Sequence, residues 1–183
     1  MAHREQGLAD IAFRPEDDPV FRKAQLLLLL DELQAEPTTL DRLTYYDFFA
    51  ESPYLLFSEE EPERVTLRLA GFQSSALSYH SPAQRFVTRQ EQLGGDLSAL
   101  VAYRLADASL LKRTPAFSIT AHGSELSRGL RAMYADAYRI SARLVYRRLR
   151  KLSNKRLHED ARWMLDPDDE KLWTLVSRAE DPS

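Results

Sequence analysis

The sequence predicts a mostly α-helical fold with a small β component, and three observations carry that prediction. The acidic pair Asp17-Asp18 stands before Pro19, as a capping side chain stands before a proline at the first helical position. Five leucines in a row, Leu26–Leu30, follow within that helix. Farther along, Ser124 precedes apolar residues spaced three and four apart, which is the period of one helical face.

The leucine run could belong to a membrane segment, a signal peptide or a buried helix. A transmembrane helix needs about 20 apolar residues, whereas this run has basic residues directly before it and acidic residues directly after it. A signal peptide would start near the first methionine, but residues 1–19 carry five acidic side chains. We therefore expect a soluble domain with a helix from residue 19 to about residue 36, stopped by Pro37 and buried centrally.

The residues after Pro37 predict a second helix. Thr38 and Asp41 stand three apart, as in a capping box, and Ser52-Pro53 would end the helix after Glu51. Because its apolar residues share one stripe, we expect the two helices to pack as a pair joined by a short linker.

The middle of the chain predicts a strand and two helices. "RVTLRLAG", residues 64–71, alternates polar with apolar side chains, which is the period of a half-buried strand. Ser81-Pro82 would begin a helix that Gly94-Gly95 ends. Asp96 would then cap another helix over residues 97–111.

The following residues predict a strand, a turn and a long helix. "AFSIT", residues 116–120, is typical of a short strand, and "AHG" of a turn. Ser124 would cap a helix that reaches about Leu152. Its apolar side would be formed by one stripe: Leu126, Leu130, Met133, Ala137, Ile140 and Leu144.

Helices followed by a short strand, a turn and another helix are the order of a winged-helix domain. We predict three parts: an N-terminal tail (residues 1–18), a winged-helix-like helical domain with a short β-wing (19–152), and a C-terminal helical extension (153–183). Winged helices serve DNA binding and protein assembly alike, so the fold alone does not choose between them.

Composition and motifs argue against an enzyme. The chain has no cysteine, which excludes disulfides and thiol chemistry and suits a reducing cytoplasm. Its four histidines are scattered without metal spacing, and "LGGD" is not a phosphate loop. The acidic stretch "DPDDEK", residues 166–171, has the composition of a capped helix start rather than of a nuclease centre. We expect no catalytic residues, no cofactor and no metal.

A basic stripe is the strongest candidate for a binding site. Arg139, Arg143 and Arg147 lie four apart, so they share a helix face that Arg150 extends. Residues 128–162 hold 11 basic and 3 acidic side chains, a balance of +8 in a chain of net charge −3. Three interpretations stay open: arginines paired with the chain's own acidic loops, an acidic protein partner, or nucleic-acid phosphates.

Two tryptophans form a second candidate for partner binding. Trp163 and Trp173 lie in the predicted C-terminal extension. Such residues either fold back on their own domain or anchor a partner.

Two segments carry a family resemblance. "LLLLDELQAEPTTLDRLTYYDFF", followed by "LVAYRLADASLLKRTPAFSITAHGSEL", resembles the middle components of prokaryotic ABC-three-component systems, in particular the LmuC subunits of Lamassu-type anti-phage defence. The resemblance covers about residues 20–150, and "LDRL" with the aspartate and aromatics behind it is its most telling part. The basic extension after Tyr146 and the tryptophan-containing tail are longer than in the shortest members.

The resemblance implies a non-catalytic adaptor with a winged-helix-like fold. Its partners would be an SMC-like ABC ATPase that senses DNA and a nuclease-type effector, held in check until the system is triggered. DNA would be touched indirectly or through the basic helix face.

A winged-helix transcriptional regulator is the alternative. Such a protein reads DNA with a basic recognition helix and wing. Here the candidate recognition helix, residues 97–111, has Arg104 as its only basic residue, and the expected wing turn holds only His122. These features favour the adaptor; an enzyme of another kind ranks third.

Overall fold

The computed structural model describes residues 18–72 and 81–165, which contain seven α-helices and one three-stranded antiparallel sheet. The helices are α1 (Pro19–Glu32), α2 (Leu40–Glu51), α3 (Pro62–Leu69), α4 (Pro82–Ala102), α5 (Ala121–Gly129), α6 (Met133–Leu149) and α7 (Asn154–Leu165). The strands are β1 (Thr38–Thr39), β2 (Ala106–Leu111) and β3 (Thr114–Ile119), and a 3-10 turn spans Pro53–Leu55. The predicted mostly α-helical class is confirmed.

The leucine helix α1 lies at the centre of the core, as its composition predicts. Its N-cap is Asp18, whose Oδ1 accepts a hydrogen bond of 2.7 Å from the Val20 backbone N–H. All five residues of Leu26–Leu30 are at most 2% exposed. The helix stops at Glu32, short of Pro37, because Gln34 and Ala35 adopt left-handed backbone angles.

Helix α6 packs against both α1 and α2. It runs parallel to α1, since the Gln25 side chain bonds Tyr134 near its start and Glu32 bonds Arg143 farther along. It runs antiparallel to α2, where the Ser141 hydroxyl donates a buried hydrogen bond of 2.7 Å to the Ala50 carbonyl. α1 and α2 also contact each other, as expected, but α6 joins them into a three-helix layer.

The sheet has the order β1-β3-β2. Thr38 pairs with Phe117 inside it, and α2 begins two residues later, at Leu40. The predicted Thr38 capping box is therefore wrong, because the backbone of Thr38 is committed to the sheet. The strand predicted at residues 116–120 is present and begins two residues earlier, as β3.

The "RVTLRLAG" strand prediction is wrong, since these residues form most of α3. Its eight residues begin with Pro62 in the first helical position, and only Leu67 among them is buried. After the C-cap, Gly71 takes a φ of +100°, and the N–H of Phe72 returns to the Leu67 carbonyl at 3.0 Å. This pair of features is a Schellman ending, so the glycine marked a helix end rather than a strand end.

Helix α4 runs through Gly94-Gly95, where we expected it to stop. Leu93, Leu97 and Leu100 are buried at helical spacing on either side of the glycines, so packing holds the helix together. Asp96 does not cap a new helix: its carboxylate receives the guanidinium of Arg22 from α1 at 2.7 Å.

The helix predicted over residues 97–111 divides into the end of α4 and strand β2. Arg104 follows the C-cap with a φ of +58°, and the Leu105 N–H bonds the Leu100 carbonyl at 2.9 Å, which closes a second Schellman ending. The hairpin turn of β2 and β3 is Lys112-Arg113, both with positive φ. The prediction missed both breaks because arginine and lysine occupy positions where glycine or asparagine is the usual signal.

The predicted helix over residues 124–152 is two helices. α5 starts at Ala121, with Thr120 as its N-cap, so "AHG" is a first helical turn rather than a loop. Gly123 is needed there because a Cβ would lie 2.0 Å from the Leu105 carbonyl oxygen. The chain then breaks at Leu130 and resumes as α6.

The break changes which side of α6 faces the core. The predicted stripe is wrong at two positions, because Leu126 is 44% exposed and Met133 is 87% exposed. The buried side of α6 instead runs through Ala135, Tyr138, Ser141, Ala142, Val145, Tyr146 and Leu149.

Helix α7 lies within the predicted C-terminal extension and packs on the same core. Leu157, Ala161 and Leu165 are each at most 3% exposed. The predicted tail up to residue 17, the acidic stretch at residues 166–171 and Trp173 lie outside the described residues.

Candidate partner-binding surface

The first arginine of the predicted stripe faces inward. Arg139 is 17% exposed, and its guanidinium donates to the backbone carbonyls of Ser127 and Leu130 and pairs with Asp136. Both carbonyls lie at the C-terminal end of α5, where few backbone N–H donors remain, and the Ser127 carbonyl also accepts from the Leu130 N–H. Arg139 stabilises the break between α5 and α6, and little of its side chain is exposed for a partner to contact.

The second arginine forms an ion pair within the chain. Arg143 is half exposed and bonds both carboxylate oxygens of Glu32 on α1, at 2.9 and 3.0 Å. The hydrogen bonds and the charge of Glu32 raise the pKa of Arg143 above its ordinary value. The acidic loop, which one of the three interpretations paired with the stripe, instead meets Arg148, which lies 2.9 Å from Glu61.

The other two arginines of the stripe are exposed. Arg147 has no ion pair among the residues that the structure describes. The Arg150 guanidinium lies 5.5 Å from the ring centroid of Tyr146, whose hydroxyl donates to Glu36. Burial, together with the hydrogen bond to Glu36, raises the pKa of Tyr146.

These two arginines belong to what we call the α6–α7 corner, residues 147–156. One side chain from α2 fixes its shape: the guanidinium of Arg42 bonds the Leu149 carbonyl at 3.0 Å, the Leu152 carbonyl at 3.0 Å and the Asn154 side-chain oxygen at 2.8 Å. The end of α6 and the start of α7 are thus wrapped around one cation. No pattern in the sequence pointed to Arg42.

The tryptophan candidates can be placed only in part. Trp163 lies on α7 and is 76% exposed, on the side opposite the buried Leu157, Ala161 and Leu165. The structure therefore presents Trp163 as an accessible aromatic side chain. Its use as a partner anchor, like that of Trp173, stays a prediction.

The β2–β3 hairpin displays a second exposed surface. Leu110 is 75% exposed, Leu111 is 44% exposed, and Tyr103 at the end of α4 is 67% exposed. The hairpin turn carries Lys112 and Arg113, so the expectation that the wing turn holds only His122 is wrong, since that residue lies in α5. We call Tyr103, Leu110 and Leu111 the hairpin patch.

A buried cluster of ion pairs joins α4 to α2 in the interior. Arg89 of α4 bonds both carboxylate oxygens of Asp47 at 2.9 Å and pairs with Glu51 at 3.0 Å. Burial alone would lower the pKa of Arg89, yet the two carboxylates raise it well above its ordinary value. The sequence pointed to this cluster only weakly, through Asp47, an acidic residue among the apolar residues of α2 for which we predicted no partner.

The outward face of α4 is nearly uncharged. Arg85 also turns inward, where it donates to the Ser52 hydroxyl at 2.7 Å. The exposed positions of α4 are polar or small and include one acid and no base: Gln84, Thr88, Glu91, Gln92, Gly95, Ser98 and Ala102.

A small groove lies beside Arg22, Asp47, Arg89 and Asp96. It offers about 10 Å³ to the centre of a water molecule, room for roughly one water, and its charged side chains form ion pairs with one another. No group of three histidines or carboxylates within residues 18–72 and 81–165 could hold a metal ion. In the same ranges no helix is both long and apolar enough to cross a membrane.

Neither a family model, nor a curated protein, nor a solved structure matches this chain.

Proposed function

We propose that the chain is a non-catalytic adaptor subunit of a prokaryotic anti-phage or anti-plasmid defence complex. It would join an SMC-like ABC ATPase, which senses DNA, to a nuclease-type effector in the cytoplasm. One observation carries the proposal: beside the β2–β3 hairpin the chain exposes three large apolar side chains, Tyr103, Leu110 and Leu111, and the outward face of α4 carries one acid and no base. Exposed apolar side chains of this kind suit a protein partner better than a DNA groove.

The connectivity supports a winged-helix-like arrangement. Four helices precede the β2–β3 hairpin. The three helices of the winged-helix arrangement would be α1, α2 and α4, with α3 between α2 and α4, and β1, between α1 and α2, adds the third strand. In this arrangement α4 is the helix that would enter a DNA groove. Both of its arginines point inward, and its outward face carries one acid and no base. The fold is therefore used for assembly rather than for base reading.

The adaptor proposal is tested by reconstitution with an SMC-like ATPase and an effector encoded beside the chain. Size-exclusion chromatography with light scattering would measure assembly of the full-length wild type and of a variant carrying Leu110→Glu and Leu111→Glu. We expect the variant to lose complex formation by tenfold or more, because two charges would be buried at the centre of the interface.

The matched control carries Val20→Glu and Leu69→Glu, two side chains that are 75% and 83% exposed elsewhere on the surface. We expect the control to assemble normally and both variants to keep the wild-type melting temperature. Normal assembly of the hairpin variant, or no such ATPase among the neighbouring gene products, would overturn the proposal.

A sequence-specific DNA-binding regulator is the second candidate, and the Lys112-Arg113 turn favours it. Both side chains are exposed at the tip of the hairpin, where a wing can reach a phosphate or a minor groove. Selection from a random duplex library tests it. A site bound about 10³-fold more tightly than unrelated DNA, with the preference lost in Lys112→Gln and Arg113→Gln, would replace the adaptor proposal.

A further inference from the structure

Residues 137–158 contain eight basic side chains and no aspartate or glutamate. The structure sorts these eight cations by what they contact. Arg139 bonds backbone carbonyls, while Arg143, Arg148 and Arg156 pair with Glu32, Glu61 and Asp160, respectively.

Four cations are left over at the α6–α7 corner. They have no ion pair within residues 18–72 and 81–165, and all four are exposed: Arg147, Arg150, Lys151 and Lys155. The guanidinium of Arg42, directly behind them, bonds neutral oxygens and adds a fifth positive charge. Two acids lie near the corner: Glu36, to which the Tyr146 hydroxyl already donates, and Glu159, one turn after Lys155 on α7.

The corner is a fixed array because of its backbone. Arg147, Arg150 and Lys151 stand three and four residues apart, so they share one side of the end of α6. Lys155 is in the first turn of α7, directly after Asn154, whose side chain is bonded to Arg42. Like charges held this close repel one another, so an anion that binds them lowers the electrostatic energy of the folded chain.

We propose that the α6–α7 corner binds the phosphate backbone of duplex nucleic acid, independently of base sequence. Four unpaired cations along two joined helix ends match a row of phosphates by charge. The corner lacks what other partners need: none of the residues 147–156 is an exposed large hydrophobic side chain. A protein interface would require an apolar centre, and a single-stranded partner would require aromatic side chains for stacking.

The corner shares no residue with the hairpin patch, so this inference does not depend on the adaptor proposal. A chain that holds the backbone at the corner and a protein at the hairpin would tie a partner to DNA without reading its sequence. The isolated full-length chain is therefore enough for the test.

Fluorescence anisotropy with short duplexes of two unrelated sequences tests the proposal. Four phosphate contacts predict a log–log salt slope of about −3.6, which is a loss of about 10²-fold in affinity between about 50 and 200 mM salt. Both duplexes should bind equally. A variant in which Arg147, Arg150, Lys151 and Lys155 are all changed to glutamine should bind at least tenfold more weakly at low salt, with a slope near zero.

The matched control removes four exposed cations elsewhere, with Arg68, Arg104, Arg128 and Arg131 changed to glutamine. It should bind like the wild type, and both variants should keep the wild-type melting temperature. Three outcomes would overturn the proposal: no salt-dependent binding, equal weakening in both variants, or tighter binding of a polyglutamate peptide than of the duplexes. The last would assign the corner to an acidic protein.

Discussion

Helices α4 and α6 both carry arginines four residues apart, and they use them in opposite ways. On α4, Arg85 and Arg89 point into the core, where Arg89 meets Asp47 and Glu51. On α6, Arg143 and Arg147 point outward. The spacing is the same, so it predicts that each pair shares one helix face but not whether that face is buried or exposed. On α4 the face is buried because Phe86 and Leu93 lie on the same side as the arginines and pack into the core.

The comparison also separates charges that stabilise the fold from charges left for a ligand. The Arg89 side chain is 10% exposed and that of Asp47 is 7% exposed, so each would be a buried charge without the other. The Arg143–Glu32 pair has its arginine half in water, where solvent and salt weaken the attraction. We therefore expect Arg85 and Arg89 to affect the stability of the fold, and the outward-facing Arg143 and Arg147 to affect binding.

The largest expected effect is at the core pair. Asp47→Ala leaves Arg89 buried with only Glu51 as a carboxylate partner, and we expect a loss of about 3–5 kcal/mol in the free energy of unfolding. Urea denaturation followed by circular dichroism measures it. Glu91→Ala, at an exposed position of α4, serves as the control and should change stability by less than about 0.5 kcal/mol. Similar values for the two variants would remove the distinction between the core and the surface.

A smaller effect of opposite sign is expected at Tyr138. Its hydroxyl is buried with no hydrogen-bond partner among the described residues, and burial raises its pKa well above 10. Removing an unsatisfied buried hydroxyl should stabilise the fold, so we expect Tyr138→Phe to raise the free energy of unfolding at neutral pH by about 1–3 kcal/mol.

Tyr138 and its neighbour Tyr134 should make the free energy of unfolding depend on pH in the alkaline range. Burial also raises the pKa of Tyr134, to about 12, from an ordinary value of 10. Because the unfolded chain releases these protons first, stability is intact below pH 10 and falls as the pH rises toward 12. Denaturation at a series of alkaline pH values should show this fall in the wild type and a shallower one in Tyr138→Phe. A fall of equal size in both would contradict the assignment to Tyr138.

The smallest effect on stability is expected on α6. Changing Arg143 and Arg147 together to glutamate places a like charge beside Glu32 and should cost less than about 1 kcal/mol, since Arg143 is half exposed and Arg147 is exposed. Thermal melting measures this change. If instead the double variant is as destabilised as Asp47→Ala, the α6 arginines belong to the core.

The sequence predicted the elements whose signals are local. Asp18 before Pro19 and Ser81 before Pro82 are caps in the structure, and the leucine run is buried throughout. The endings were harder to predict, because they depend on left-handed residues that are not glycine. Arg104 ends α4, and Lys112 with Arg113 turns the hairpin, although each pays a steric cost at positive φ that only the surrounding contacts offset.

The candidate site was predictable in charge but not in detail. Counting charges located the excess of cations, and helical spacing placed them on one side. The break between α5 and α6 then turned Arg139 toward the Ser127 carbonyl, a contact that no spacing rule contains. Arg42 lies more than a hundred residues before the corner that it holds, so only the folded chain brings the two together.

The glycine at position 123 has a mechanical consequence. Its missing side chain lets the first turn of α5 touch the Leu105 carbonyl at the root of the hairpin. Ser124, the next residue, and Ser127, one turn on from Gly123, donate to the Asp31 carboxylate of α1. Close contacts thus connect the hairpin, α5 and the leucine helix, so a force applied to the hairpin would be transmitted to the core.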